Sequence, residues 1–126
     1  MNNSTYNALS ATGAFLLWFT WSYHINLGAD NVLLSALFQG VISATLTLIM
    51  IRSLTALANK FKTPLSKILY PPLIISISCA FFGFLVHALI NTSQIIKTLC
   101  PAVVVGFIFC IFTCVKNTIS EERENV

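Results

Sequence analysis

Four long stretches of this chain contain no Asp, Glu, Lys or Arg: residues 1–29, 31–51, 68–96 and 98–115. Nothing else in the sequence limits the fold as strongly. A soluble domain carries about 25% charged residues, whereas here 9% are charged and 56% hydrophobic among 126 residues. So few charges cannot cover a water-facing surface, so most of the surface has to face lipid or protein. Each spanning helix takes roughly 20 residues. The expected fold is therefore an all-α integral membrane domain of four transmembrane helices, at about 7–25, 32–51, 71–90 and 98–115. Residues 116–126 are left as a polar, frayed tail.

Local signals mark the helix ends. Trp21, Tyr23 and His24 close the first helix with the aromatic pattern of a membrane interface. Asp30 and Asn31 stand where the second helix needs a cap. Beyond Arg52 the pattern of Leu54, Leu57 and Phe61, flanked by Lys60 and Lys62, predicts a short amphipathic segment between the second and third helices. Thr63-Pro64 stops that segment and starts a short turn, and Pro71-Pro72 should open the third helix or kink it. Pro101 falls in the expected first turn of the fourth helix. No Lys or Arg precedes the first apolar run, so that run is expected to persist as a helix rather than act as a cleaved leader.

Orientation follows from Lys and Arg. With four crossings, Arg52, Lys60, Lys62, Lys67, Lys116 and Arg123 share one side and only Lys97 lies on the other. Both termini are thus expected in the cytoplasm, and the general look is that of the short four-helix proteins of bacterial inner membranes. The basic residues Arg52, Lys60, Lys62 and Lys67 would also attract anionic lipid headgroups. Membrane lipid is the expected partner, and nucleic acid is not.

A shift of 66 positions lays Ala14-Phe15 on Ala80-Phe81, Gly40 on Gly106 and Thr47 on Thr113. The same shift superposes two stripes of small residues, Ala36, Gly40 and Ala44 on Ala102, Gly106 and Cys110, with Cys114 one turn further. Small residues four apart let membrane helices approach closely. Two repeated helical hairpins packed through the second and fourth helices are one explanation, and chance matching of apolar helices is the other. The cysteines among these residues read as packing groups, and Cys110 with Cys114 makes a poor metal site without further ligands. No metal or cofactor is expected.

Chemistry has few places to reside. No full charge lies within an expected span, and such charges are what coupled transporters use. The chain is similar in size and helix count to small multidrug exporters, which depend on a carboxylate in the first helix; that helix has none here. His87 shares a face with Gly83 and Asn91 at four-residue spacing, and Gln39, Trp18, Trp21 and Ser22 lie at comparable depth. These six polar residues (Gln39, His87, Asn91, Trp18, Trp21 and Ser22) form a candidate pocket in the outer leaflet. The competing reading is that His87 and Gln39 bond each other or a neighbouring carbonyl and simply hold helices together. The sequon at Asn91 would lie too close to the bilayer for modification. No nucleophile–base pair is evident, so an enzyme is not expected. The functional expectation is a transport or translocation component for a lipid-linked or weakly polar molecule, acting as a homo-oligomer. The alternative is a structural or regulatory subunit that binds another membrane protein through its helices.

Overall fold

The computed structural model describes residues 3–124 as four helices: α1 (Asn3–Ile25), α2 (Val32–Ala58), α3 (Pro64–Leu89) and α4 (Ile95–Glu124). Of these, α2, α3 and α4 are long and apolar enough to cross a membrane. The 23 residues of α1 are less apolar because Asn7, Ser10, Thr12, Thr20, Ser22 and His24 interrupt the run. The turns 26–31 and 90–94 meet at one end of the molecule, called here the turn end, where Asn26 and Asn31 reach across to them. The α2–α3 connection and the last turns of α4 lie at the opposite, tail end, joined by an ion pair between Lys67 and Glu121.

Expected boundaries move in α2, α3 and α4. The third helix starts at Pro64 rather than Pro71, because Thr63 is a working N-cap whose hydroxyl accepts from Ser66 N–H at 3.3 Å, with Pro64 in the first turn. Pro71 and Pro72 are consequently inside α3, where both are buried. Helix α2 continues past Ile51 to Ala58, and the chain leaves helical form from Asn59 to Lys62. The expected amphipathic segment is thus split. Leu54 is fully buried in the core, while Phe61 lies beyond the helix and stacks on Tyr70 with ring centres 5.2 Å apart. Helix α4 starts at Ile95 and runs to Glu124, so the tail expected to fray is helical up to there; residues 125 and 126 lie outside the described residues.

The end of α3 shows how backbone groups are satisfied locally. Asn91 adopts φ 54° just past the helix, the left-handed region that Asn enters more readily than most residues. Thr92 N–H then donates to His87 C=O at 2.9 Å and Asn91 N–H to Ala88 C=O at 3.2 Å. This is the Schellman pattern of a helix C-terminus. It folds Thr92 back beneath the helix, where its side chain is buried.

Inside and outside are inverted relative to a soluble bundle. Among the described residues eight polar side chains are buried, including Asn26, Gln39, His87 and Thr98, as many as the apolar ones. Large apolar side chains cover the exterior instead, among them Leu89 (82% exposed), Phe112 (70%) and Ile77 (67%). Exposed apolar surface of this extent is unfavourable in water and natural against lipid. A small apolar plug of Leu54, Cys110 and Cys114, with Met50 and Ile75 against it, closes the core towards the tail end.

Candidate functional site

The buried polar groups at the turn end form two assemblies. In the first, His87 on α3 uses both ring nitrogens: Nε2 lies 2.8 Å from Gln39 Oε1 on α2, and Nδ1 lies 2.7 Å from Thr92 Oγ1. Thr92 Oγ1 is also 2.9 Å from Ser35 Oγ on α2. Because the Gln39 oxygen can only accept, His87 Nε2–H donates to it, which leaves Nδ1 to accept from Thr92 and Thr92 to accept from Ser35. The neutral imidazole therefore fits with every proton assigned. His87 and Gln39 bond each other, as the simpler of the two sequence readings had it.

The second assembly ties α1 to α4. Asn26 Nδ2 donates to Ser22 C=O and to Thr98 Oγ1, both at 2.8 Å, and Asn26 Oδ1 accepts from Gln94 N–H at 2.9 Å. Asn26 thereby satisfies a free donor at the start of α4. Asn31 makes no side-chain cap on α2, contrary to expectation. Its amide instead donates to the carbonyls of Ile90 (2.6 Å) and Asn91 (2.7 Å), the unsatisfied acceptors at the end of α3. An acceptor at the end of another helix outcompetes the local cap.

Trp21 has a separate task. Pro101 lies in the second turn of α4 and has no N–H, so the carbonyl of Lys97, four residues earlier, loses its helical donor. Trp21 Nε1–H supplies the missing bond at 3.0 Å. The indole thus converts a gap in α4 into a link with α1.

The six residues of the candidate pocket therefore separate. Gln39 and His87 are joined, and Trp18 lines the same cavity as Gln39. Trp21 is committed to Lys97, and Asn91 is exposed at the turn. Ser22 is fully buried with a hydroxyl that finds no partner among the described residues. Sequence reasoning missed Asn26, Asn31, Ser35, Thr92 and Thr98. The signal was present, since Asn31, Ser35 and Gln39 are four apart on one helix, as are Ser22 and Asn26, and Gln94 and Thr98.

Below these assemblies the four helices surround a cavity of about 270 Å³. Its upper wall includes Trp18, Gln39, Gly83 and Leu99, and its lower wall includes Met50, Ile75 and Cys110. From Gln39 to Met50 the cavity follows α2 for roughly 16 Å at 1.5 Å per residue. The lining is mainly apolar and contains no Asp, Glu, Lys, Arg or His. Helix α1 does not approach α3 and meets α4 sparingly. The side-chain bonds that join the α1 side to α4, from Trp21 and Asn26, are at the turn end. Below them α1 and α4 flank the cavity.

The two small-residue stripes differ in what they face. A Cβ on Gly40 would lie 2.8 Å from ring carbons of Phe15 and 3.2 Å from its carbonyl oxygen, so α1 and α2 touch there as the stripe implied. Ala36 beside it is fully buried and Ala44 half-buried. A Cβ on Gly106 would meet nothing within 4 Å. Gly106 and Ala102 line the cavity, so within this chain no neighbouring helix seats on Gly106 and small size leaves space. Cys110 borders the cavity's lower end and contacts Met50 sulfur at 3.2 Å, and Cys114 lies in the plug below.

Of the four basic residues assigned to lipid headgroups, Arg52, Lys60 and Lys62 are exposed near the tail end. Lys67 is the exception. It pairs with Glu121 of α4, because the first turn of α3 and the last turns of α4 are neighbours. Searches of family models, curated proteins and solved structures return no match to this chain.

Proposed function

We propose that this chain spans a bacterial inner membrane four times and serves as a non-enzymatic transport or translocation component for a lipid-linked or weakly polar molecule. The observation that carries the reading is the uncharged cavity between the four helices, flanked by α1 and α4 below the Trp21 bond. A molecule held there would enter from the bilayer between those two helices. As the fourth span, α1 would be about 35 Å long at 1.5 Å per residue, enough for a hydrocarbon core of roughly 30 Å. The six-to-one distribution of basic residues supports cytoplasmic termini. One small bundle encloses little of a path, which favours a homo-oligomer.

The test is to isolate the protein from native membranes in mild detergent and measure bound small molecules by native mass spectrometry. Wild type should retain a neutral lipid-like species, and Gly106→Leu, which fills the cavity, should lose it. Equal retention by both would remove the cavity from the reading. Reporter fusions after residues 29, 61, 93 and 124 should alternate between outside and inside. A reporter on the N-terminus should lie on the same side as those at 61 and 124; if it shares the side of the reporter at 29, α1 is outside the set of spans.

A second reading rests on Gly106, where a small-residue face meets open space. A helix of another membrane protein fits such a face, and the chain would then be a structural or regulatory subunit. Copurification of a second protein that Gly106→Leu releases favours this reading over the first.

A further inference from the structure

Gln39 is 2% exposed and yet half unsatisfied. Its Oε1 is bonded to His87 Nε2 at 2.8 Å, which fixes the carboxamide plane and directs the other terminus of the amide elsewhere. Nε2 makes no hydrogen bond to the described residues, and Gln39 belongs to the cavity wall. Trp18, whose indole can only donate, is on the same wall; its Nε1 likewise has no acceptor among the described residues. The two sit close in the fold, because Gly40 beside Gln39 seats against Phe15, about one turn from Trp18. The hydroxyl of Thr47, lower in the cavity, is already spent on Ser43 C=O at 2.7 Å.

The upper part of the cavity therefore holds donors, on Gln39 and Trp18, that bond no described residue, although the hydroxyl of Ser43 also belongs to the lining. With Gln39 Oε1 on His87 Nε2, the amide N–H₂ is the end left for the cavity. A donor that faces a mainly apolar cavity without an acceptor is costly to leave unpaired. An anion would satisfy it, but no cationic side chain lines the cavity to offset the loss of hydration of a full charge. A neutral oxygen acceptor meets the donor without that cost. The remainder of the cavity, about 16 Å long and mainly apolar, suits a hydrocarbon chain.

We propose that the cavity binds an uncharged lipid whose carbonyl oxygen accepts a hydrogen bond from Gln39 Nε2, with its hydrocarbon chain running towards Met50 and Cys110. This deepens the lipid-handling reading and rests on it. Two membrane sources share the chemistry, a fatty ester and an alkyl quinone.

The experiment uses the full chain exchanged into amphipol, with three probes: the methyl ester of decanoic acid carrying a ¹³C carbonyl, a decyl-substituted benzoquinone, and undecane, which has no acceptor. Wild type should bind one or both carbonyl probes roughly three- to tenfold more tightly than undecane, the range of one net hydrogen bond. The carbonyl stretch of the bound probe should shift to lower frequency. In Gln39→Leu the preference over undecane should vanish and the stretch return towards its value in hydrocarbon. Where Gln39→Leu does not assemble, Gln39→Met, closer to Gln in length and shape and without a donor, takes its place, with the same loss of preference and shift expected. A stronger preference for ester or for quinone assigns the source. Equal binding of undecane and both carbonyl probes, with no shifted stretch, overturns the role of Gln39 and leaves a lipid-handling cavity standing. If none of the three binds wild type, both readings fall.

Discussion

The α1–α2 hairpin and the α3–α4 hairpin use the same small-residue spacing for opposite ends. In the first, Gly40 lets the Phe15 ring lie against the α2 backbone, and the helices close on each other. In the second, the position matching Phe15 under the 66-residue shift is Phe81, which is 66% exposed, and Gly106 faces open space. Here α3 and α4 approach instead nearer the turn end, where a Cβ on Gly83 would meet Leu99 at 3.0 Å. A stripe of small residues thus permits either close packing or a cavity. Which one results depends on where the bulky neighbour points, and that is decided by tertiary structure.

The largest expected effect tests this contrast directly. Gly40→Leu drives side-chain atoms into Phe15 and its backbone oxygen, which cannot move away as a flexible side chain could. The cost should reach about 3 kcal/mol or more, read as loss of monodisperse protein and of cooperative thermal unfolding in detergent. Gly106→Leu should stay within about 1 kcal/mol of wild type, because replacing a helical Gly is itself favourable by up to that amount. Shortening Phe15 to Ala alongside Gly40→Leu should recover part of the loss. Equal damage from the two glycine variants would erase the distinction between the hairpins.

Next in size is His87, which connects α3 to α2 across the hairpins. His87→Leu leaves Gln39 Oε1 without its donor and Thr92 without its acceptor, both in buried side chains. Stranding such groups costs about 1–3 kcal/mol. The coupling between His87 and Gln39 in a double-mutant cycle should be smaller, near the 0.6 kcal/mol average for membrane helices, because each partner finds substitutes when the other is gone. A cycle carried out by chemical denaturation in micelles separates the two quantities. Coupling as large as the single-mutant loss would show the pair acting alone, without help from Thr92 and Ser35.

Sequence carried the helical class and the sites of the turns, because charge-free length and flanking polar residues act locally. It misled at Pro71-Pro72, where two missing donors suggested a helix start. A membrane helix tolerates such residues in its interior, and Thr63 with Pro64 supplied a better start about two turns upstream. The His87–Gln39 bond was legible as an option, since few polar groups at that depth have other partners. The roles of Asn26 and Asn31 were not, because each bonds residues about 60 or 70 positions away and local capping rules say nothing of such partners. Trp21 was read as an interfacial aromatic. Its bond to Lys97 becomes predictable only when Pro101 and the nearness of α1 to α4 are considered together.

That bond gives a third, smaller prediction. Trp21→Phe keeps the aromatic bulk and removes the donor to Lys97 C=O, at a cost of about 1 kcal/mol. In a Pro101→Ala background the helix recovers its own N–H for that carbonyl, and the same substitution should then cost close to nothing. Thermal midpoints of the four proteins in one detergent complete the cycle. An undiminished Trp21→Phe cost in the alanine background would mean that the indole matters through packing alone.

The smallest expected effect lies at the tail end and concerns charge, which α1 lacks entirely and α3 and α4 share. Lys67 stands in the first turn of α3 and Glu121 near the end of α4, so each charge occupies the helix terminus that its own dipole disfavours. The antiparallel arrangement brings the two together, and each offsets the other's unfavourable position. Lys67 is 22% and Glu121 44% exposed, so water and salt screen much of the attraction. Removing the lysine as Lys67→Met should therefore cost at most about 1 kcal/mol. Glu121→Gln in the Lys67→Met background should recover part of it, since the unpaired carboxylate at a helix C-terminus is then gone. Raising the salt concentration should weaken wild type towards Lys67→Met and leave the double variant unchanged. A salt-independent difference between wild type and Lys67→Met would assign the lysine's contribution to its aliphatic stem packed between α3 and α4 rather than to its charge.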